Sequence, residues 1–341
     1  MELQQQQPHR QLHHLEKVVA FFALFAVIAL TIGFAQAQAP SQSPQSQKKK
    51  PTAQAKKVKV TYAPGGTAAA KRKARPAGDP LDALQAANPS KVFLHSSAAL
   101  VQDLSSGETI LSKNTEAIVP IASITKLMTA MVVLDRNLDR EARVVISDED
   151  MDYLKGTRSR LRPGSVLTRD ELLLLALMAS ENRAAAALAR TYPGGTEAFV
   201  AAMNEKARAL GMGDTRYADS TGLNAANVSS AKDLAKLVQA AHQYPVIREY
   251  STREEAEVNV LGQALQYRNT NGLVRSTSWD IGLSKTGFIN EAGRCLVMQV
   301  RMASKDLVVV LLDSWGKNSR IGDANRIKKW LETSAPSRLR G

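Results

Sequence analysis

The segment 120–134 places one serine and one lysine in a mostly apolar stretch, and it constrains the fold more than any other part of the chain. From Ser123 onward the pattern predicts an apolar helix, with Pro120 where a helix is expected to begin. Ser123 and Lys126 would lie on one face, about a turn apart. A lysine amine that burial keeps neutral can take the proton of a serine hydroxyl. The segment therefore predicts a candidate nucleophile and its base.

The Ser-x-x-Lys spacing is weak evidence by itself, because it begins at four serines in this chain: Ser46, Ser123, Ser229 and Ser314. An isolated copy is most often a solvated serine near a solvated lysine. Only the copy at Ser123 opens a long apolar run. Its assignment depends on partners further along the chain.

Residues 1–37 predict a secretory signal peptide. A polar, positively charged segment precedes an uncharged run, residues 18–34, and small residues follow it up to Ala37. We expect cleavage before Gln38. An uncleaved inner-membrane anchor is the alternative, although the run is slightly short for a full membrane span. In both cases the bulk of the chain is expected to be exported.

Residues 38–88 predict a disordered tether, because they are rich in Gln, Ser, Pro, Ala, Lys and Gly and carry few large apolar side chains. Most of the net charge of +13 belongs to residues 1–88, which contain 12 Lys and Arg against 4 Asp and Glu. Export argues against nucleic acid as the partner of this basic segment. A solvated linker, or a weak contact with anionic lipid or polymer of the envelope, is expected instead.

The chain has one cysteine, Cys295, so no intramolecular disulfide can form. Cys295 lies in an apolar, strand-like run, which predicts a buried and inert thiol. His95 and His242 are the histidines that follow the predicted signal peptide, and neither has metal-ligand spacing with other candidate ligands. We therefore predict no metal ion and no cofactor.

The folded part, residues 89–335, mixes strand-like and helix-like patterns, and residues 336–341 would form a short tail. The strand patterns predict an N-terminal hairpin and a late antiparallel meander, with a last helix packed on the same sheet. The ranges are a hairpin over 97–112, strands at 279–289, 295–302 and 307–314, and a helix at 320–332. Five strands with helices on one or both faces predict an α/β (α+β) domain.

A second helix carries the next candidate group at its end. Thr168 and Glu171 form a predicted capping box before a run that is apolar on nearly every side, which places this helix in a core. The helix ends at Ser180-Glu-Asn182, where another helix begins. Such residues are usually caps, but the junction can also point a hydroxyl and a carboxamide into a cleft.

The third candidate group is Lys285-Thr286-Gly287, a tripeptide that occurs once and lies in a predicted strand. In a strand Lys285 and Gly287 face one side and Thr286 the other. Gly287 would let another backbone or a ligand approach closely. Lys285 would supply a positive charge for a substrate carboxylate and would help to keep Lys126 neutral. A solvated edge-strand lysine is the alternative.

These three motifs occur in a fixed order, with 57 residues from Ser123 to Ser180 and 105 from Ser180 to Lys285. Their order resembles the signature of penicillin-binding proteins and serine β-lactamases. The resemblance covers about residues 89–335. It implies the transpeptidase fold of that group, a five-stranded antiparallel sheet and a helical subdomain with the active site in the cleft between them.

Other segments resemble the low-molecular-weight D-Ala-D-Ala carboxypeptidase and endopeptidase family. They are Ser220-Thr-Gly-Leu223, Asn227-Val-Ser-Ser230 and the run 285–297, and the last of these looks most like the D,D-endopeptidase branch. Carboxypeptidase members often add a C-terminal β domain and an amphipathic anchor helix. This chain ends about ten residues after its last predicted helix, which also favours the endopeptidase branch.

The resemblance implies a catalytic role for three side chains. Ser123 would be the acylated nucleophile and Lys126 its general base, while Ser180 would relay a proton to the leaving amine. The backbone N–H groups of Ser123 and Phe288 would hold the oxyanion.

The resemblance also implies the residues that bind the substrate. Asn182 would hold the substrate amide and Lys126, Lys285 would bind the carboxylate region, and Thr286 would assist it. Gly287 and Phe288 complete the strand beside which the substrate would lie.

One departure separates the chain from class A β-lactamases. Those enzymes carry a Glu-x-x-Leu-Asn loop whose glutamate activates the deacylating water. The corresponding stretch here begins with Ser220. A slowly released β-lactam adduct is therefore expected.

The resemblance favours an exported, periplasmic serine D,D-peptidase of a Gram-negative envelope. It would cut D-Ala-containing cross-links between peptidoglycan stem peptides, and β-lactams would acylate it. A D,D-carboxypeptidase that trims the terminal D-Ala is the close alternative, and a non-hydrolytic β-lactam sensor or wall-binding module is the more distant one. The sequence leaves the oligomeric state open.

Overall fold

The computed structural model describes residues 91–302 and 305–333. The predicted signal peptide (1–37), tether (38–88) and tail (336–341) lie outside the described residues, so these three interpretations stay predictions. Along the described ranges no helix has both the length and the apolar character that crossing a membrane requires.

The described residues form strands β1 to β11 and helices α1 to α7 in chain order. The strands are β1 Ser96–Asp103, β2 Thr109–Lys113, β3 Val119–Pro120, β4 Arg143–Val145, β5 Val166–Thr168, β6 Val228–Ser229, β7 Glu255–Val260, β8 Gln263–Arg268, β9 Asp280–Ile289, β10 Gly293–Met302 and β11 Lys305–Ser314. The helices are α1 Thr125–Asp135, α2 Arg169–Met178, α3 Asn182–Arg190, α4 Gly195–Ala209, α5 Ala231–Ala241, α6 Pro245–Thr252 and α7 Ser319–Thr333.

Five strands form one antiparallel sheet in the order β2-β1-β11-β10-β9. The predicted N-terminal hairpin and the predicted late meander are both confirmed. Within the sheet β9 is an edge strand, and its residue Gly287 pairs with Cys295 of β10. The strand that carries the Lys-Thr-Gly tripeptide therefore has one side free of main-chain pairing within this sheet.

The sheet is buried on both faces, which explains why its central strands are almost continuously apolar. Alternate residues of β1 and β11, such as Leu100 and Val310, belong to a large core shared with helices α1 to α6. Their neighbours Val101 and Val309 belong to a second core on the other face, where α7 covers the sheet with residues such as Ile327. The expected packing of the last helix on this sheet is confirmed.

Helix α2 lies in the first core, as its apolar composition predicts, and every residue from Leu172 to Met178 is buried. Its capping box is present: the Thr168 hydroxyl accepts from the Glu171 N–H at 3.1 Å, and the Glu171 carboxylate accepts from the Thr168 N–H at 2.7 Å. The buried helix thus begins at a fixed residue and ends at Met178, two residues before Ser180.

The prediction that an α-helix starts at Ser123 was wrong by two residues. Residues Ala122–Ile124 form a 3₁₀ turn, and α1 begins at Thr125. Pro120 does not open the helix, because it pairs with Val228 in the short β3–β6 ladder. The backbone of Ala122 has φ +48°, which breaks the helix geometry just before the serine.

Removal of the cap tests how much the start of α2 contributes to stability. Thr168→Ala leaves an N–H at the first turn without its side-chain acceptor, and we expect the free energy of unfolding to fall by about 1 kcal/mol. Urea unfolding of the two proteins measures the difference. Thr168→Ser keeps the acceptor and should lose less; equal stability of Thr168→Ala and the parent would contradict the role of the cap.

Candidate active site

The turn that carries Ser123 is clamped between two glycines. A Cβ atom built on Gly222 would lie 1.9 Å from the Ala122 carbonyl oxygen, and one built on Gly287 would lie 2.9 Å from the Ile121 carbonyl oxygen and 3.2 Å from the Ser123 nitrogen. Gly222 also has φ +81°. Only glycine fits these two contacts without displacing the turn.

A buried polar contact ties the same turn to α1. The Thr125 hydroxyl donates to the Ala122 carbonyl at 2.8 Å and accepts from the Asn227 side-chain amide at 2.9 Å. The side-chain oxygen of Asn227 also accepts hydrogen bonds from the backbone N–H groups of Ala218 and Asp219. The position of Ser123 is therefore fixed by the loop 218–227 as well as by its own helix.

The Lys126 side chain is fully buried and its Nζ atom has three oxygen partners. Nζ lies 2.9 Å from Ser123 Oγ, 2.8 Å from Asn182 Oδ1 and 2.6 Å from the Thr221 carbonyl oxygen. The predicted proximity of Ser123, Lys126 and Asn182 is thus observed. The main-chain oxygen of Thr221 is an additional partner from outside the Ser-x-x-Lys, Ser-x-Asn and Lys-Thr-Gly motifs.

Burial lowers the pKa of Lys126 to about 8, from an ordinary value of 10.5. The carboxylates of Asp219 and Glu181 act in the opposite direction and limit the shift. An amine with this pKa is partly neutral near pH 7 to 8, which is the condition for accepting a proton from a hydroxyl.

Ser180 and Lys285 form a second contact beside the first. The Lys285 Nζ group donates to Ser180 Oγ at 2.9 Å and to the Thr286 carbonyl at 3.0 Å. Ser180 lies between α2 and α3 with φ +59°, a sparsely populated conformation for a residue with a Cβ atom. The N–H groups of Ala179 and Glu181 both bond to the Leu175 carbonyl, and these bonds hold the junction.

The Lys285 side chain is also buried, and burial lowers its pKa well below 10.5, with further contributions from the positive charges of Lys126 and Arg320. Repulsion between two cations is mutual, so the charge on either lysine disfavours the charge on the other. The site without substrate therefore opposes the simultaneous charging of both lysines.

The remaining predicted residues lie on β9. Thr286 is buried and its hydroxyl bonds to that of Thr270 at 2.6 Å. Phe288 is half exposed, and the guanidinium of Arg294 lies 4.5 Å from the centre of its ring. The structure thus brings all eight predicted site residues together on three segments, the 122–126 turn, the α2–α3 junction and β9.

Sequence reasoning missed the loop that supports Asn182. The Asn182 Nδ2 group donates to the Thr157 hydroxyl at 3.0 Å, and that hydroxyl donates to Asp152 Oδ2 at 2.6 Å. In the same loop Lys155 forms an ion pair with Glu291 in the β9–β10 turn. No motif marks these residues, since they act through a loop whose path the sequence pattern does not specify.

Cys295 and Ser220 are two further buried residues near these segments. Cys295 is buried, and burial raises the pKa of its thiol to about 11, in agreement with an inert cysteine. Ser220, where the sequence comparison expected no glutamate, is buried and donates to the Ala185 carbonyl at 3.0 Å. Its hydroxyl is therefore engaged in holding the loop to α3.

Comparison with solved structures identifies the class of fold. The crystal structure of the Streptomyces K15 DD-transpeptidase superposes with a TM-score of 0.66 at 28% sequence identity, covering 70% of this chain and 98% of that one. The five-stranded antiparallel sheet with its helices is thus the penicillin-binding-protein fold, as the resemblance implied.

Sequence comparison identifies the family. The model of peptidase S11, described as D-alanyl-D-alanine carboxypeptidase, matches residues 84–316. A D-alanyl-D-alanine endopeptidase of Pseudomonas aeruginosa is 49% identical over 72% of this chain and 80% of its own length. A D-alanyl-D-alanine endopeptidase of Escherichia coli is 46% identical over 73% of this chain and 81% of its own length. The chain belongs to the peptidase S11 family of penicillin-binding serine peptidases, which act on peptidoglycan.

The glycine clamp generates a stability prediction. Gly222→Ala introduces a Cβ into the Ala122 carbonyl and a strained backbone, so we expect the free energy of unfolding to fall by roughly 2–5 kcal/mol. Gly107→Ala is the matched control, since Gly107 also has positive φ (+72°) but open space around it. Chemical denaturation measures both. Equal losses in the two variants would contradict the clamp.

Proposed function

We propose that this protein is a serine D,D-endopeptidase that hydrolyses D-Ala-containing cross-links of peptidoglycan through an acyl-enzyme on Ser123. β-Lactams acylate the same serine. The observation that carries the proposal is the environment of Lys126 Nζ, which lies within hydrogen-bonding distance of Ser123 Oγ and of two further oxygen atoms.

The two further oxygens define where the lone pair of Lys126 points. A neutral amine has two N–H bonds and one lone pair, while the Asn182 Oδ1 and Thr221 carbonyl oxygens can only accept. A lone pair aimed at either would meet another lone pair. The two N–H bonds therefore point to these oxygens, and the lone pair points to the Ser123 hydroxyl. Lys126 is the general base of this proposal.

In the acylation step the proton of Ser123 moves to Lys126 Nζ while Oγ bonds to the carbonyl carbon of D-Ala. The backbone N–H groups of Ser123 and Phe288 stabilise the oxyanion. The C–N bond to the second stem peptide then breaks. Its amine takes a proton through Ser180, which Lys126 can resupply.

The contact between Lys285 and Ser180 supports the relay. Ser180 Oγ accepts a hydrogen bond from Lys285, so its own proton stays free to be donated toward the leaving amine. A substrate carboxylate beside Lys285 favours the protonated lysine, which restores the charge that burial disfavours. Asn182, Thr286 and Gly287 are assigned to substrate binding with it.

Deacylation by water completes the cycle for a peptide. For a penicilloyl ester we propose slow release, because the loop that carries a glutamate in class A β-lactamases has Ser220 here and its hydroxyl is bound to a backbone carbonyl. The neighbouring carboxylate of Asp219 accepts the Thr221 hydroxyl and the Gly222 N–H, so it holds the loop.

The choice of endopeptidase rests on the relatives at 46–49% identity, whose names carry that activity. The family description favours a D,D-carboxypeptidase as the second candidate, with the same acyl-enzyme and a free D-Ala as the leaving group. Export to the periplasm, a weak contact of the basic tether with anionic envelope components, and signal cleavage are further parts of the proposal.

Digestion of defined muropeptides tests the proposed function. Residues 38–341 are incubated with purified cross-linked dimers and, separately, with a pentapeptide monomer, and the products are analysed by mass spectrometry. We expect dimers to yield monomers while the pentapeptide stays largely intact. Loss of only the terminal D-Ala would show a carboxypeptidase.

The control for this digestion is Ser123→Ala, which lacks the nucleophile and should neither cleave dimers nor bind labelled penicillin covalently. Penicillin labelling that survives in Ser123→Ala would refute the assignment of the nucleophile. Penicillin labelling of the parent protein without cleavage of either substrate would favour the alternative of a non-hydrolytic β-lactam sensor.

A further inference from the structure

Asp152, Thr157, Asn182 and Lys126 form one continuous chain of hydrogen bonds. Asp152 Oδ2 accepts from the Thr157 hydroxyl at 2.6 Å, Thr157 Oγ1 accepts from Asn182 Nδ2 at 3.0 Å, and Asn182 Oδ1 accepts from Lys126 Nζ at 2.8 Å. Two of these residues belong to no motif of the family signature, so the chain extends the site into the loop before α2.

The first member of the chain can only accept hydrogen bonds when it is ionised. Burial raises the pKa of the Asp152 carboxyl, but hydrogen bonds from the Thr157 side chain and from backbone N–H groups outweigh it, so the pKa is lowered overall. Those N–H groups belong to Leu154, Lys155 and Thr157. Asp152 is therefore a carboxylate at neutral pH.

The count of protons then fixes the direction of every bond. Thr157 has one hydroxyl proton, and Asp152 takes it, so Thr157 can offer Asn182 only lone pairs. The NH₂ end of the Asn182 amide must face Thr157, and its oxygen must face Lys126. The second N–H of the amide stays available for the substrate.

We propose that Thr157 is a positioning residue. It holds the Asn182 amide in the one orientation in which the lone pair of Lys126 stays directed at the Ser123 hydroxyl. With the amide rotated by 180°, an N–H would point at Nζ and compete with the Ser123 hydroxyl for that lone pair. The inference rests on the proposed function, since it assigns a role in the activation of Ser123.

The loop around Thr157 is held firmly enough for this role. Asp152 closes the loop with four hydrogen bonds, and the ion pair between Lys155 and Glu291 attaches it to the β9–β10 turn. Thr157 thus reaches Asn182 from a segment that Asp152 closes and that Lys155 attaches to the β9–β10 turn.

The pH dependence of acylation distinguishes this role from a structural one. The charged groups that act on Lys126 are Asp219 and Glu181, which raise its pKa, and Lys285, whose charge opposes that of Lys126. Substitution of Thr157 changes none of them. Rotation of the Asn182 amide removes an acceptor from the ammonium form of Lys126 and lowers its pKa, whereas a loosened loop that admits water raises it.

The test is the rate of penicillin acylation as a function of pH, with Thr157→Val and Thr157→Ser in residues 38–341. We expect Thr157→Val to lower the plateau rate about tenfold, the scale of one hydrogen bond lost in the transition state, and to move the rise of the rate to lower pH. Thr157→Ser keeps the hydroxyl, so its plateau acylation rate and the pH at which the rate rises should both match those of the parent protein.

Thr191→Val is the matched control, because Thr191 follows the other end of α3 and its hydroxyl bonds to the Ala187 carbonyl. It should leave the profile unchanged. Should Thr157→Val fail to fold, Thr157→Ala is measured in its place. An unchanged profile in the folded variant, or a rise displaced to higher pH, would overturn the proposal.

Failure of the proposed function is recognised separately in the same experiment. If the parent protein is not acylated by penicillin, or Ser123→Ala still is, the assignment of the nucleophile fails. If the parent is acylated at Ser123 and Thr157→Val matches it at every pH, only the role of Thr157 fails.

Discussion

The burial of Lys126 is the interaction on which the site depends. A primary amine without solvent contact loses the hydration that favours its charge, and its pKa falls toward the working range of a general base. Asn182 and the Thr221 carbonyl satisfy its polar hydrogens, so the buried amine has partners in its neutral form. The apolar helix α1 supplies the burial, and residues from three other segments supply the oxygens.

The rest of the architecture brings these segments together. The edge strand β9 contacts the Ser123 turn through Gly287, and the loop 218–227 contacts it from the other side through Gly222. Ser180 lies just after the end of the buried helix α2, where its hydroxyl contacts Lys285. Large cores on both faces of the sheet keep these contacts fixed, so the positive φ of Ala122 and Ser180 is imposed by the surrounding structure.

Much of this arrangement could be predicted from the sequence, because it follows from local patterns. Apolar runs and turns predict the strands of the main sheet, and the capping box predicts the start of α2. Three motifs in order predict the site. The 3₁₀ turn before α1 was missed, since contacts of Ile121 and Pro120 with β6 and its neighbouring loop override the local helix signal. Thr157 and the Thr221 carbonyl were missed because a loop path and a main-chain oxygen leave no side-chain pattern.

Direct titration of Lys126 tests the central claim, that burial lowers the pKa of this amine far enough for part of it to be neutral near pH 7 to 8. The protein is labelled with ¹³C at the lysine ε-carbons, and the signal absent from Lys126→Arg identifies the residue. We expect the NMR shift of this carbon to titrate with a pKa of about 8. A titration at the ordinary value of 10.5 would show a charged lysine and would contradict the account.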